Sequence, residues 1–160
     1  MSRIARAEKD KVVQKLLLAK ELSGKTYDEI AEEVGLTNAM VSQIFHRQAP
    51  LKQVSMDKMK RAVPLLKEDD LFEMSKPPFR SFDPDIIQEP AIYRLHEVCM
   101  HYGESVKEII NEKCGDGIMS AIDFNLNVES KKGSKGEDRI VLTLDGKFLP
   151  FSEQRVEEEE

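Results

Sequence analysis

The chain has 160 residues, 40% of them apolar, a net charge of −6 at pH 7 and a pI of about 5.3. This length allows one medium domain or two small ones, and the acidic balance argues against a broad field that attracts nucleic acid. The chain has no apolar run of ~20 residues that would span a membrane, and MSRIARAEKDK lacks the apolar centre of a secretion signal. We therefore expect a cytoplasmic protein with no membrane partner, in which Cys99 and Cys114 are reduced thiols.

Residues 1–75 are predicted to form an all-helical domain. Apolar residues at helical spacing favour a first helix over 4–22. Thr26 and Glu29 form the capping-box pattern that opens a second helix, which we expect to end at Gly35. Three further helices are predicted, at 38–46, 56–66 and from Glu68 onward.

The second and third helices have the spacing of a helix-turn-helix. In a DNA-binding protein the third helix would enter the major groove and read bases with Asn38, Ser42, Gln43 or Arg47. The alternative is a packing module that keeps this shape without DNA. Phosphate contacts supply most DNA affinity. The second helix carries four acidic residues, and the only basic residue that the third helix and its end provide is Arg47. This charge distribution favours the packing module, and we expect no nucleic-acid partner.

Residues 76–90 form a proline-rich linker. They hold four of the seven prolines, so we expect neither helix nor central strand there. Beyond the linker, an apolar stripe predicts a helix over 92–102 that ends at Gly103. Ser105 then caps a shorter helix through Ile110.

The stretch GDGIMSAIDFNLNV, residues 115–128, predicts a half-buried strand from Ile118 on, because apolar and polar residues alternate. Ser120 interrupts its apolar face. A second strand is predicted over 139–144, after a polar loop at 131–138 and before a tight turn at Asp145-Gly146. A two-stranded sheet is marginal alone, so residues 91–160, with an acidic tail at 157–160, are expected to form an α+β dimerisation domain. The predicted fold class is therefore α+β.

A hydroxyl on a buried strand face needs a partner, because leaving it unpaired costs roughly 1 to 3 kcal/mol. Three interpretations of Ser120 are open. It could be a core serine bonded to a backbone carbonyl, or a nucleophile with an adjacent base. It could also be an anion ligand that acts with backbone N–H groups and a guanidinium. Arg94 and Glu97 share a helix stripe at i and i+3. They would form an ordinary exposed ion pair or contribute to such an anion site.

Other chemistry-bearing patterns are weak. His96, Cys99, His101 and Cys114 do not supply the three or four ligands of a zinc site, since Cys99 and His101 lie on different helix faces. The sequence has no phosphate-binding loop, nucleophile elbow or dinucleotide fingerprint. We expect no metal and no organic cofactor.

Three motifs in order, YRLHEVCMHYG, EKCGDGIMSAIDFNLNV and LTLDGKFLP, resemble the cyanase (cyanate hydratase) family. The resemblance implies a helix-turn-helix-like N-terminal domain without known DNA binding and a small catalytic domain. It also implies a catalytic trio of Arg94, Glu97 and Ser120. The implied reaction joins cyanate with bicarbonate, a co-substrate, to give carbamate and carbon dioxide. The carbamate then yields ammonia and a second carbon dioxide.

The resemblance implies a decamer of five intertwined dimers with sites between subunits. This agrees with a physical expectation, because two anionic reactants need more positive charge than one Arg94 offset by Glu97 supplies. A symmetric interface would bring copies of Arg94 together. The rival interpretation is a helix-turn-helix regulator of transcription whose C-terminal domain dimerises and senses an anion.

Overall fold

A computed structural model of the chain describes residues 3–81 and 83–154. These residues form an α+β fold, as predicted. The elements are α1 (Arg3–Leu22), α2 (Tyr27–Val34), α3 (Asn38–Phe45), α4 (Gln53–Ala62), α5 (Glu68–Ser75), a 3-10 helix (Pro84–Gln88), α6 (Pro90–Cys114), β1 (Gly117–Lys132) and β2 (Asp138–Pro150). The two strands form one antiparallel sheet. The predicted tail at 157–160 lies outside the described residues.

The chain divides into two compact units. The N-terminal unit comprises Met1–Ser81 with Asn125–Leu144, and the C-terminal unit comprises Phe82–Phe124 with Asp145–Glu160. The hairpin therefore contributes its far end to the first unit and its base to the second. Among the described residues, no helix is long and apolar enough to cross a bilayer.

Every buried hydrophobic side chain of the described residues belongs to the N-terminal unit. The five helices and their connections contribute these side chains: Leu16, Ile30, Ala31, Val34, Val41, Ile44, Phe45, Leu51, Met59, Ala62, Val63, Leu66, Leu71 and Met74. Full burial of a large aliphatic or aromatic side chain contributes about 1.5–3 kcal/mol. This unit thus has a core of its own.

The boundaries of α2 predicted from Thr26 with Glu29 and from Gly35 are confirmed. The Thr26 hydroxyl accepts the Glu29 N–H at 3.2 Å, and the Glu29 carboxylate accepts the Thr26 N–H at 2.7 Å, which completes the capping box. Gly35 ends α2 at φ 80°, a left-handed conformation that costs glycine little. The prediction for α4 is wrong by about a turn: the helix begins at Gln53 and ends at Ala62. Pro64 explains the early end, because a residue before proline avoids the helical region.

The proline-rich segment contains more helix than predicted. Pro84 opens the short 3-10 helix, where its missing N–H and fixed φ are no handicap. Pro90 opens α6 in the same way, and the Glu89 carboxylate accepts the N–H groups of Ala91 and Ile92 at 2.8 and 3.2 Å. The expectation that this segment excludes helix is therefore wrong for Pro84–Gln88 and for the first residue of α6.

The predicted break at Gly103 is also wrong, because α6 runs without interruption from Pro90 to Cys114. One glycine costs a helix about 1 kcal/mol, which the hydrogen bonds of the flanking turns offset. The helix ends instead at Gly115, where φ is 90°. One long helix thus replaces the two short ones expected at 92–102 and after Ser105.

The hairpin is longer than predicted. β1 continues to Lys132, and the turn at 133–137 is closed by the Gly133 N–H, which donates to the Glu137 carbonyl at 2.8 Å. Asp145-Gly146 is not a turn but lies inside β2. A glycine within a strand often marks a close approach of two backbones.

Within the N-terminal unit, the start of α3 holds the edge of β1. The Asn38 amide donates to the Val128 carbonyl at 2.7 Å and accepts the Val128 N–H at 3.2 Å. Arg47 is only 6% exposed and donates to the carbonyls of Met74 and Lys76. Two of the four candidate base-reading side chains are thus hydrogen-bonded to backbone groups of the same chain, and one of them, Arg47, is also buried.

We expect Asn38→Ala to destabilise the protein by about 1 kcal/mol, because the two hydrogen bonds to Val128 are lost. Thermal unfolding followed by circular dichroism should show a midpoint lower by about 3 °C. Gln43→Ala is the matched control, because this side chain is exposed on the same helix. Equal midpoints for the two variants would show that Asn38 does not hold the strand.

Candidate active site

Arg94 and Glu97 lie on the second turn of α6, where their i, i+3 spacing places them on one face. The Arg94 guanidinium donates a hydrogen bond to the Glu97 carboxylate, forming an ion pair. This hydrogen bond, together with the charge of Glu97, raises the pKa of Arg94 above its usual range. The Arg94 side chain is 68% exposed, and its guanidinium carbon lies 5.9 Å from the centre of the Tyr93 ring. The pair therefore presents an oriented, permanently charged guanidinium on the surface of a single chain.

Ser120 is the fourth residue of β1 and is 7% exposed. Its hydroxyl oxygen accepts the N–H groups of Ile122 at 3.1 Å and Asp123 at 3.0 Å. Both bonds use the oxygen as an acceptor, so the hydroxyl proton is left to donate elsewhere. The core-serine interpretation expected a bond to a backbone carbonyl, and the hydrogen bonds observed among the described residues run to backbone N–H groups instead.

The burial of side chains around Ser120 does not follow the alternation of buried and exposed residues predicted for the strand. Ile122 is 96% exposed and Ile118 is about half exposed, so within one chain the predicted apolar face is not buried. The serine that interrupts that face is buried instead. Among the described residues of the C-terminal unit, only Gly117 and Ser120 are buried.

The turn before Ser120 is held from both sides. Lys107, on α6, donates to the Asp116 carboxylate at 2.8 Å and to the Gly117 carbonyl at 3.4 Å. From the other strand end, the Phe151 N–H donates to the Asp116 carbonyl at 3.1 Å. Helical periodicity gives no sign of the Lys107 contact, because its partner lies nine residues away beyond the end of the helix.

In the described part of one chain, the three residues of the predicted trio are not all joined by direct hydrogen bonds. Across residues 3–81 and 83–154, no hydrogen bond or ion pair joins Ser120 to Arg94 or Glu97. The nucleophile interpretation also lacks support, since no basic side chain is bonded to the Ser120 hydroxyl in this part of the chain.

The histidines and cysteines of α6 do not converge. Cys99 and Cys114 are free and exposed, as expected for reduced thiols. The described residues contain no group of three His, Cys, Asp or Glu side chains placed to hold a metal ion. The rings of Tyr93 and His96 pack at a centroid distance of 6.1 Å, which gives this histidine a packing contact.

Comparison with known proteins points to one family. Residues 84–153 match the family model described as cyanate lyase C-terminal domain. The chain is 54% identical over 151 residues to a cyanate hydratase of Arabidopsis thaliana, covering 94% of the chain and 90% of that protein. It is 47% identical over 147 residues to a cyanate hydratase of Phaeodactylum tricornutum, covering 91% and 76%. The crystal structure of cyanase from T. urticae superposes with a TM-score of 0.77 at 31% identity, covering 89% of this chain and 99% of that one. The chain therefore belongs to the cyanate hydratase (cyanase) family.

Proposed function

We propose that this protein decomposes cyanate in a bicarbonate-dependent reaction that gives carbamate and carbon dioxide. The carbamate then breaks down to ammonia and a second carbon dioxide. The observation that supports this reaction is the similarity to cyanate hydratases over nearly the whole chain. Cyanate and bicarbonate are its small-molecule partners, and no metal or organic cofactor takes part.

The chemistry begins with the approach of two anions. A bicarbonate oxygen attacks the cyanate carbon, a new C–O bond forms, and the resulting dianion loses carbon dioxide as its nitrogen takes up protons. The first stage consumes one proton and the breakdown of carbamate consumes another. A site for this reaction must supply positive charge and preorganised donors before the reactants meet.

Arg94 binds the reactants and neutralises their charge. Its guanidinium is suited to this role because it stays charged and offers a planar set of donors to carboxylate-like oxygens. Glu97 orients Arg94 through their ion pair or relays a proton. Ser120 holds the dianionic complex through its hydroxyl proton, because the N–H groups of Ile122 and Asp123 donate to the hydroxyl oxygen and leave that proton free to donate. Other backbone N–H groups nearby complete the set of donors.

The site is completed between subunits. This is supported by the exposure of the C-terminal unit, where large apolar side chains along α6 and the hairpin base face solvent in one chain: Ile92, Tyr93, Leu95, Val98, Met100, Tyr102, Val106, Ile109, Ile118, Met119, Ile122 and Leu149. An apolar surface of this extent marks an interface, and a two-stranded sheet needs further cover. Other copies of the chain supply that cover, in a decamer of five dimers that brings Arg94 copies together.

The family resemblance and the reduced thiols support a cytoplasmic location. We also propose that the protein has no nucleic-acid partner. This is supported by the hydrogen bond of the Asn38 amide to the Val128 carbonyl and by the burial of Arg47.

Ammonia release from the purified protein tests the function. With cyanate and bicarbonate, we expect one ammonia per cyanate and a rise in the pH of a weakly buffered solution, because the reaction consumes protons. Omitting bicarbonate and excluding carbon dioxide should suppress the release. A well-folded oligomer that releases no ammonia, and that retains DNA in a salt-sensitive way, would instead indicate the regulator.

A further inference from the structure

Gly146 of β2 lies against the backbone of Ser120. A Cβ atom at position 146 would lie 2.5 Å from the Ser120 carbonyl oxygen, closer still to Cγ of Met119, and 3.0 Å from Cδ2 of Phe124. The methionine can rotate away from such an atom, but the carbonyl can move only with the strand. A side chain at 146 would therefore displace β1 at Ser120.

Gly117 makes the reciprocal contact on β1. A Cβ atom there would meet the Leu149 carbonyl oxygen and would lie 2.5 Å from Cζ of Phe148. Gly117 thus lies close to the backbone of Leu149, as Gly146 lies close to the backbone of Ser120. The segment from Gly117 to Ser120 is thus held against β2 more closely than other residues would allow.

We propose that Gly146 is a positioning residue for Ser120. The hydroxyl oxygen of Ser120 is fixed by the N–H groups of Ile122 and Asp123, and its carbonyl oxygen lies within 2.5 Å of the place that a Cβ atom at position 146 would take. The two contacts together set where the hydroxyl proton points. This inference rests on the proposed role of Ser120 in holding the anionic complex.

Gly146→Ala should lower kcat/KM by about 10- to 100-fold, because a misplacement of about 1 Å costs up to about 10²-fold. Subunit assembly and far-ultraviolet circular dichroism should be unchanged. Gly133→Ala is the control, since this glycine lies at the hairpin turn in the N-terminal unit and the nearest atoms to a Cβ there belong to the flexible Glu137 side chain, and this variant should keep native activity. Native activity in Gly146→Ala would overturn the proposal.

A double-mutant cycle with Ser120→Ala separates positioning from a general structural role. If Gly146 acts through the Ser120 hydroxyl, Gly146→Ala should lower the residual activity of Ser120→Ala by less than about threefold. The same fold-loss in both backgrounds would overturn the proposal. Near-native activity of Ser120→Ala alone would refute the proposed site itself, which is a distinguishable result.

Met119→Ala provides the second variant. The double variant Gly146→Ala/Met119→Ala removes the clash with Met119 and keeps the clash with the Ser120 carbonyl, so its activity should stay low. Recovery of activity would assign the effect to Met119 and overturn the proposal. If Gly146→Ala does not assemble, the double-mutant cycle of Gly146→Ala and Ser120→Ala is repeated in a protein that also carries Met119→Ala. Failure to assemble there too would mean that Gly146 serves folding and not positioning.

Discussion

Replacing Arg94 with leucine should lower kcat/KM for cyanate by about 10³-fold or more while the subunits still assemble. Removing one preorganised donor from a developing anion costs about 10²- to 10³-fold, and here the donor also carries the charge that offsets two anionic reactants. Arg94→Lys should recover only part of the activity, because an ammonium keeps the charge but not the planar fork. Steady-state ammonia release at several bicarbonate concentrations measures both effects.

Arg139→Leu is the matched control for Arg94. Arg139 is likewise exposed and paired with a nearby carboxylate, that of Glu137 at 3.0 Å. It lies at the start of β2, in the part of the hairpin that belongs to the N-terminal unit. Its removal should leave activity within about twofold, since exposed ion pairs contribute little. Near-native turnover of Arg94→Leu in an intact oligomer would remove Arg94 from the mechanism.

Ser120→Ala should lower kcat/KM by about 10²-fold to 10³-fold, because the hydroxyl donor to the dianionic complex is lost. The substitution also leaves the Ile122 and Asp123 N–H groups without their acceptor, which costs roughly 1–3 kcal/mol for each group that stays buried. The thermal midpoint should therefore fall as well, and activity must be measured well below it.

Ser130→Ala controls for the loss of a serine from the same strand. Ser130 is exposed near the far end of β1, and its removal should change neither activity nor stability. A Ser120→Ala variant with native turnover would contradict the anion-ligand role. A covalent adduct on wild-type Ser120, found by mass spectrometry after rapid quenching in the presence of cyanate, would instead support the nucleophile.

The sequence predicts those features whose causes are local. The capping box of Thr26 and Glu29, the stop at Gly35 and the pairing of Arg94 with Glu97 all depend on residues within four positions of each other. Each was predictable because helix geometry alone brings those groups together.

The structural roles of glycines were less predictable, because a glycine can end a helix or form a turn, and it can also lie within a helix or a strand. Gly103 resembles a helix stop and lies within a helix, and Gly146 resembles a turn and lies within a strand. The difference is made by what faces each residue: open space at Gly103 and the Ser120 carbonyl at Gly146. Partners distant in sequence decide such cases, and they also decide the Lys107 contacts that hold the turn before β1.

The pairing of Asn38 with Val128 gives one candidate base-reading side chain of α3 a partner within the chain. An asparagine amide reads adenine because it matches one donor and one acceptor on the edge of the base. A strand edge offers the same pair of groups, and Asn38 here matches a peptide instead of a base. The same Asn38 amide cannot make both pairs of hydrogen bonds at once, so Asn38 would have to release Val128 before it could bind an adenine.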